Sequence, residues 1–243
     1  MGYEGARKNM KKINIAIDGP AGAGKSTIAK ALAKQLNIVY VDTGAMYRAI
    51  GLYFSRKQVA KDDVETVERE CENIDVSIGY EDGEQIVYLN GENVNGLIRT
   101  PEAGMMASAF SMHKKVRAKM VELQQALAAK TSVVMDGRDI GTVVLPEAEV
   151  KIYLTASSSV RAKRRYDELI EKGIDCNLEQ LKKEIEERDY QDMTREVSPL
   201  KKAEDAIELD TSDLSIEEVI KKMQQIVFWK IDEMIMEEAE TFK

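Results

Sequence analysis

Residues 19–27 read Gly-Pro-Ala-Gly-Ala-Gly-Lys-Ser-Thr, and this stretch decides the fold. The phosphate-loop pattern G-x-x-x-x-G-K-[ST] is met by Gly19, Gly24, Lys25 and Ser26. Glycines let backbone N–H groups converge on an anion, and the N-terminus of a following helix adds a favourable dipole. A lysine here reaches the β- and γ-phosphates, and the next hydroxyl binds Mg²⁺. The stretch predicts a nucleoside triphosphate site and leaves the phosphate acceptor open.

The neighbouring sequence supplies the strand and the helix that such a loop needs. Residues 13–17 are a short apolar run ending at Asp18, which is typical of a buried parallel strand. After the loop, apolar residues recur at helical spacing, namely Ile28, Ala29, Leu32, Ala33 and Leu36. Further apolar runs, at 38–41, 132–135, 150–154 and 206–209, alternate with helical patterns. This alternation predicts an α/β fold with a five-stranded, mostly parallel sheet.

One segment departs from the α/β pattern. Apolar and polar residues alternate across 74–96, and Asn90-Gly91 is a typical hairpin turn. We predict a small antiparallel sheet there, within an insert of about 63–104. Around it we expect a flexible segment at 1–12, a nucleotide-binding domain at 13–227 and a helical extension at 228–243. Helices are predicted at 62–72, from Thr100 to about residue 130 with or without a break, at 157–172, at 178–193 and from Ser215 onwards.

Composition narrows the possible functions. The chain has 243 residues and a net charge of −8, which argues against broad nucleic-acid binding. Cys71 and Cys176 lie far apart, which favours a reducing compartment and argues against a zinc clip. A single histidine, His113, excludes a histidine-based triad or a multi-histidine metal site. No apolar run approaches the ~20 residues of a membrane span, so we expect a cytoplasmic protein without membrane association.

Polar residues gather after two predicted strands, at the edge where α/β sheets bind ligands. Thr43, Tyr47 and Arg48 follow the run at 38–41, with Thr43 a candidate helix cap. Arg48 is placed to hold a second phosphate, the alternative being an ordinary cap with a solvated arginine. The run at 132–135 ends in Asp136-Gly-Arg-Asp139. Such a group is unfavourable to bury unless it is paired or bound to a ligand, so we favour a functional role.

Arginines also share faces of two predicted helices. They are Arg161, Arg164 and Arg165 in one, and Arg188 and Arg195 in or just after the other. Asp192 lies one turn after Arg188, and a simple surface pair of the two, worth ~0.3–0.5 kcal/mol, is the alternative to a binding role. So many arginines exceed what one nucleotide needs, and a second anionic substrate explains them. Phosphoryl transfer relies on positioning and charge neutralisation, which suits a chain without a histidine-based nucleophile.

Together these motifs resemble those of the bacterial-type cytidylate kinases, a family of P-loop nucleoside monophosphate kinases. The matching segments are 19–27, 42–48 (DTGAMYR), 98–100 (IRT), 136–142 (DGRDIGT) and 187–189 (ERD), followed by Arg195 and Pro199-Leu200. The match covers about residues 13–227, and the 136–142 segment with the β insert is its most specific part. It implies transfer of the γ-phosphate of ATP, with Mg²⁺, to CMP or dCMP in pyrimidine nucleotide metabolism.

The resemblance implies roles position by position. ATP binding is implied for Gly19, Pro20, Ala21, Gly22, Ala23, Gly24, Lys25, Ser26, Thr27, Arg161 and Arg165. Acceptor binding is implied for Thr43, Tyr47, Arg48, Arg99, Ser108, Arg117, Arg138, Asp139, Arg188 and Asp192. Catalytic roles are implied for Lys25, Arg138, Arg164 and Arg195, and metal binding for Ser26 and Asp136. The helices at about 157–195 would form a lid. Lys114 stands where many relatives carry a proline, which leaves the placement of Arg117 open.

Two other functions fit a phosphate loop. Another small-molecule kinase, such as an adenylate or thymidylate kinase, is one, although no Gly-Tyr-Pro-Arg segment of adenylate kinases occurs. A regulatory GTPase is the other, although no Asn-Lys-x-Asp guanine motif occurs. The sequence does not rank CMP against dCMP, and we expect a monomer.

Overall fold

A computed structural model describes residues 12–81 and 84–241, with side chains as far as residue 236. The predicted flexible segment at 1–12 lies outside the described residues, apart from its last position. The strands are β1 Asn14–Asp18, β2 Val39–Asp42, β3 Val76–Glu81, β4 Glu84–Leu89, β5 Glu92–Asn93, β6 Val133–Gly137, β7 Val150–Thr155 and β8 Ile207–Asp210. The helices are α1 Lys25–Leu36, α2 Thr43–Arg56, α3 Val64–Glu70, α4 Pro101–Phe110, α5 Lys114–Lys130, α6 Ser158–Glu171, α7 Leu178–Thr194 and α8 Ile216–Thr241.

Five strands form a parallel sheet in the order β2-β6-β1-β7-β8. β1 is central, with Ile15 facing Val134 of β6 on one side and Val150 of β7 on the other. β3, β4 and β5 form the separate antiparallel sheet, and the Asn90-Gly91 turn joins its last two strands. Both sheets confirm the predictions from apolar periodicity.

Apolar residues cover both faces of the parallel sheet, because successive side chains of a strand point to opposite sides. Ile15 and Ile17 pack with α1 and α8 on one face, whereas Ala16 packs with α2 and α5 on the other. The two cores hold the sheet rigid, and its carboxyl edge carries the polar residues described below.

The structure changes one predicted helix cap and divides one predicted helix in two. Thr43 was expected to cap α2, but Asp42 is the cap, and its Oδ1 accepts a hydrogen bond of 2.8 Å from the Ala45 N–H. The Thr43 hydroxyl instead donates to the backbone carbonyl of Asp136. The helical pattern that begins at Thr100 breaks at 111–113 into α4 and α5. Thr100 does cap α4, since its hydroxyl accepts from the Ala103 N–H at 3.1 Å.

The C-terminal helix α8 runs through residue 228 without interruption. Val219, Met223 and Val227 are buried against the sheet, whereas Phe228 and Trp229 are exposed. Within the part of the chain that the structure describes, no helix combines the length and the apolar character needed to cross a membrane.

Candidate active site

A cleft of about 1010 Å³ opens at the carboxyl edge of the parallel strands. The loop after β1, the ends of β2 and β6, the β insert and the helices α2, α4, α6 and α7 all contribute to its walls. Its lining includes every predicted site residue except Gly19 and Pro20. Residues from distant parts of the sequence therefore meet in one continuous space.

The phosphate loop adopts a conformation that only glycine tolerates at key positions. A Cβ at Gly19 would lie 1.9 Å from the Leu154 carbonyl oxygen, so the loop packs directly on β7. Gly24, at φ 82°, is the left-handed residue from which α1 begins. The next residue, Lys25, is buried, and its Nζ donates to the Pro20 carbonyl at 2.7 Å. Burial, reinforced by the nearby Arg138, lowers the pKa of Lys25 well below its ordinary value.

Asp136 lies at the end of β6 and faces the first turn of α1. Its Oδ2 accepts from the Ser26 hydroxyl at 2.8 Å, and its Oδ1 accepts from the Tyr40 hydroxyl at 2.9 Å. The Thr43 hydroxyl donates to the Asp136 backbone carbonyl at 2.6 Å. Burial, and after it the charge of Asp42, raise the pKa of the Asp136 carboxyl to about 6. A hydroxyl beside a carboxylate is the hard-oxygen donor set that Mg²⁺ prefers, so Ser26 and Asp136 fit this ion.

A second buried carboxylate, Asp18, ends β1 just before the loop. Its two oxygens accept from the backbone N–H groups of Ile140 and Gly141, at 2.8 and 2.7 Å. Burial raises the pKa of Asp18 to about 6, although both hydrogen bonds act in the opposite direction. Asp18 thus fastens the segment after β6 to the strand that carries the phosphate loop.

Arg117 and Asp139 form a buried ion pair on the far side of the cleft. Nη1 of Arg117 lies 2.7 Å from Oδ2 of Asp139, with the two side chains 3% and 7% exposed. Nε of Arg117 donates to the Ser111 carbonyl at 3.0 Å, and its guanidinium lies 5.4 Å from the centre of the Tyr47 ring. Lys114 at the start of α5 therefore does not displace Arg117, because the arginine is held from three sides. Ser108 lines the same part of the cleft.

Asp192 on α7 lies between two arginines. Nε of Arg138 donates to its Oδ2 at 2.8 Å, and Nη1 of Arg195 donates to its Oδ1 at 3.3 Å. The Arg188–Asp192 surface pair considered from the sequence is absent from the described part of the chain. Arg188 is instead exposed within the cleft. In that described part, Nη2 of Arg195 is buried and unpaired.

The three arginines of α6 differ in burial and in their hydrogen-bond partners. Arg161 is buried, and its guanidinium donates to the Ala156 and Ala21 carbonyls and to Asp189, at 2.8, 2.9 and 2.6 Å. It thus ties the phosphate loop to helices α6 and α7, a position that the shared helical face did not indicate. Arg164 donates to Thr211, whereas Arg165 is half-buried and pairs with Glu168.

Sequence reasoning missed several residues that organise the site. Besides Asp18 they include Tyr40, Asp42, Gln85, Asp189 and Thr211. Gln85 of the β insert spans the backbone of Asp42, accepting from its N–H at 2.8 Å and donating to its carbonyl at 3.3 Å. The position of Asp18 at the end of a predicted strand was a usable signal, because that edge carries the site. Gln85 and Tyr40 lie within strand patterns and gave no signal.

The fold and the cleft define this chain as a P-loop protein of the kinase class. It belongs to the cytidylate kinase family, whose model matches residues 15–228. A cytidylate kinase of Caldicellulosiruptor saccharolyticus is 54% identical over 222 residues, covering 91% of this chain and 98% of the relative. One of Bacillus cereus is 57% identical over 220 residues, covering 89% and 96%. The solved structure of a gluconokinase from Sinorhizobium meliloti aligns with TM-score 0.48 and 13% identity, covering 94% of this chain and 99% of that chain.

Proposed function

We propose that this protein transfers the γ-phosphate of ATP to CMP or dCMP, giving ADP and CDP or dCDP. The observation that carries the proposal is the single cleft joining the phosphate loop to the buried Arg117–Asp139 pair. The loop suits a triphosphate donor, and the ion pair suits a nucleobase with both donors and acceptors. Membership of the cytidylate kinase family supports the same reaction.

We assign residues 19–27 to the donor, with their backbone N–H groups around the phosphates. Lys25 would neutralise the β- and γ-phosphates once it leaves the Pro20 carbonyl. Ser26 and Asp136 would hold Mg²⁺, which would neutralise part of the negative charge of the phosphates. Tyr40 keeps the Asp136 carboxylate oriented towards Ser26.

Cytosine recognition is assigned to Asp139, Arg117 and Ser108. Cytosine presents an amino donor where uracil presents a carbonyl, so the Asp139 carboxylate accepts from the first and repels the second. Arg117 and Ser108 donate to the ring acceptors. A site built from such hydrogen bonds rejects the wrong base strongly, because its own buried groups would be left unpaired.

The acceptor phosphate and sugar are assigned to the middle of the cleft. Arg48 and Arg138 would bind the phosphate, whereas Arg188 and Asp192 would bind the sugar. Thr43, Tyr47 and Arg99 complete this wall. An acceptor phosphate oxygen then forms the new bond to the γ-phosphorus while the bond to the bridging oxygen of the β-phosphate breaks.

We assign neutralisation of the negative charge on the transferred phosphate to arginines of the lid, the helices at about 157–195. Arg164 and Arg195 reach the cleft, and Arg195 has a buried Nη2 available for a further acceptor. Arg165 can join them if it leaves Glu168. A phosphate contact for Arg161 would require it to give up protein acceptors, so we assign this residue to holding the loop.

The test is ADP release across the common nucleoside monophosphates at fixed ATP. We expect the highest kcat/KM with CMP and dCMP, a lower value with UMP, and little turnover with AMP, GMP or dTMP. Preference for AMP or dTMP would indicate another nucleoside monophosphate kinase. ADP release that is indifferent to any acceptor would indicate a regulatory NTPase.

Three further expectations belong to the same proposal. Chelation of divalent cations should abolish turnover, and added Mg²⁺ should restore it. Sedimentation should give the mass of a monomer. We also expect a cytoplasmic enzyme that does not bind nucleic acid. Deleting the β insert within 63–104 should remove acceptor binding while ATP still binds, since the donor loop lies outside it.

A further inference from the structure

Asp18 caps a helical turn to which it does not itself belong. A cap residue normally stands at the start of its own helix. A π-helical turn follows β6 at Ile140–Val144, and Asp139 stands at its N-cap position. An aspartate there ordinarily accepts a hydrogen bond from the N–H group of the second or third residue of its own helix, here Gly141 or Thr142. Among the described residues, Asp139 makes no such bond. Both of the first N–H groups, at Ile140 and Gly141, are bound by Asp18 from β1.

This exchange of caps leaves the Asp139 carboxylate available for another partner. Its Oδ2 is bound to Arg117 in the cleft. The turn is also held from both sides, since a Cβ at Gly141 would lie 3.3 Å from Oδ2 of Asp18. A Cβ at Gly137 would lie 2.7 Å from Cδ1 of Ile140. Asp18, next to the phosphate loop, therefore holds the backbone that directly follows Asp139.

We propose that Asp18 is a positioning residue for base selection, which caps the 140–144 turn so that Asp139 can face Arg117 and the acceptor base. The proposal rests on the proposed function, in which Asp139 recognises cytosine. Without Asp18, the two buried N–H groups would need another acceptor. Asp139 stands at the N-cap position of the same turn, from which a side chain can accept from the Gly141 N–H. Asp139 would then turn from the cleft to its own helix, and Arg117 would lose its partner.

The first test is Asp18→Asn, which keeps the shape but presents an amide donor to one of the two N–H groups. We expect the CMP-over-UMP ratio of kcat/KM to fall roughly tenfold, the scale of one charge-assisted hydrogen bond. The Kd for ATP should change less than about twofold, because the phosphate loop keeps its own contacts. Hydrogen exchange at Ile140 and Gly141 should accelerate, while exchange at Met135 within β6 should not.

Three further variants complete the design. Glu149→Gln is the matched control, since Glu149 accepts from the Asn14 N–H at 2.7 Å at the opposite end of β1. It should leave selectivity unchanged. Gly141→Ala disturbs the same turn without touching a charge and should lower selectivity in the same direction, which keeps the proposal testable if Asp18→Asn does not fold. The double variant Asp18→Asn/Asp139→Ala should be no less selective than Asp139→Ala alone.

Three outcomes would overturn the inference. One is unchanged selectivity in Asp18→Asn despite faster exchange at Ile140 and Gly141. Another is equal loss of ATP and CMP binding with a lowered Tm, which would make the role purely structural. The third is an additive selectivity loss in the double variant. A wild-type enzyme that ignores CMP would instead refute the proposed function, while the exchange experiment would still report on the cap.

Discussion

Replacing Asp139 by alanine removes one partner of an ion pair that is shielded from solvent. Nη1 of Arg117 and Oδ2 of Asp139 are 2.7 Å apart, with side chains only 3% and 7% exposed. Breaking such a pair leaves an uncompensated buried charge, and the expected loss is about 3–5 kcal/mol of the free energy of unfolding. The cytosine amino group also loses a charged acceptor. A hydrogen bond of this kind is worth about 1.5–3 kcal/mol, which corresponds to roughly 10- to 150-fold in selectivity.

The assay is steady-state kinetics with CMP and with UMP, together with the Kd for ATP measured by calorimetry. Asp139→Ala should lower kcat/KM for CMP far more than for UMP and should leave ATP binding within about twofold. Asp139→Asn is the sharper variant, because its amide can donate to the uracil carbonyl and should raise the relative use of UMP. Denaturant unfolding confirms that each variant is folded at the assay temperature.

Asp167→Ala is the matched control, since it removes a carboxylate from an exposed pair with Lys163. Exposed pairs of this spacing contribute only about 0.3–0.5 kcal/mol, so neither stability nor selectivity should change measurably. An unchanged CMP-over-UMP ratio in Asp139→Ala would refute the assignment of this residue to the base. Equal losses for both acceptors would assign it to the framework of the cleft instead.

Three further predictions concern charge and packing. Lys25→Met should reduce kcat by about 10²- to 10³-fold in ADP release with little change in the Kd for CMP, because a cation at the transferred phosphate is lost; an equal weakening of CMP binding would contradict this. The pKa of Asp136 is raised to about 6, so the folded protein binds a proton that the unfolded chain lacks between about pH 4 and pH 6, and its contribution to stability falls as pH rises through that window. The free energy of unfolding of Asp136→Asn, measured in urea, should therefore rise relative to that of wild type by about 2 kcal/mol between about pH 4.5 and about pH 7, whereas a constant difference would refute the shift. Gly51→Ala should lower the free energy of unfolding by about 1–3 kcal/mol in thermal denaturation, because its Cβ would lie 2.8 Å from the Ala107 nitrogen. At Gly104 an added Cβ would meet none of the described atoms within 4 Å, so Gly104→Ala should be neutral or stabilising, and equal losses in the two variants would contradict the packing argument.

Much of the fold followed from local patterns. The strands β1, β2, β6, β7 and β8 were all predicted to within about two residues, because short apolar runs bounded by polar turns are typical of parallel sheets. The β insert followed from alternation and from the Asn90-Gly91 turn. The cap of α2 was predicted wrongly, since Thr43 and Asp42 are both good caps and only the contact with Asp136 decides between them.

The residues of the site likewise include some that the sequence predicted and some whose contacts it did not. The phosphate loop and the 136–139 segment are visible in the sequence because their chemistry lies in consecutive residues. The different fates of Arg161, Arg164 and Arg165 are not visible, because one helical face meets several elements. Arg161 contacts the phosphate loop and Asp189, whereas the partner of Arg165 among the described residues is its neighbour Glu168 on the same helix.

The sequence by itself determined the order of strands and helices along the chain, the phosphate loop and the large number of arginines. These properties depend on contacts between near neighbours, which periodicity and turn chemistry record. The tertiary structure alone decided the partners across the cleft. Ser26 meets Asp136 across 110 residues, and Asp18 meets Ile140 across 122. Such pairings exist only once the strands stand side by side with their carboxyl ends aligned, and no local pattern encodes them.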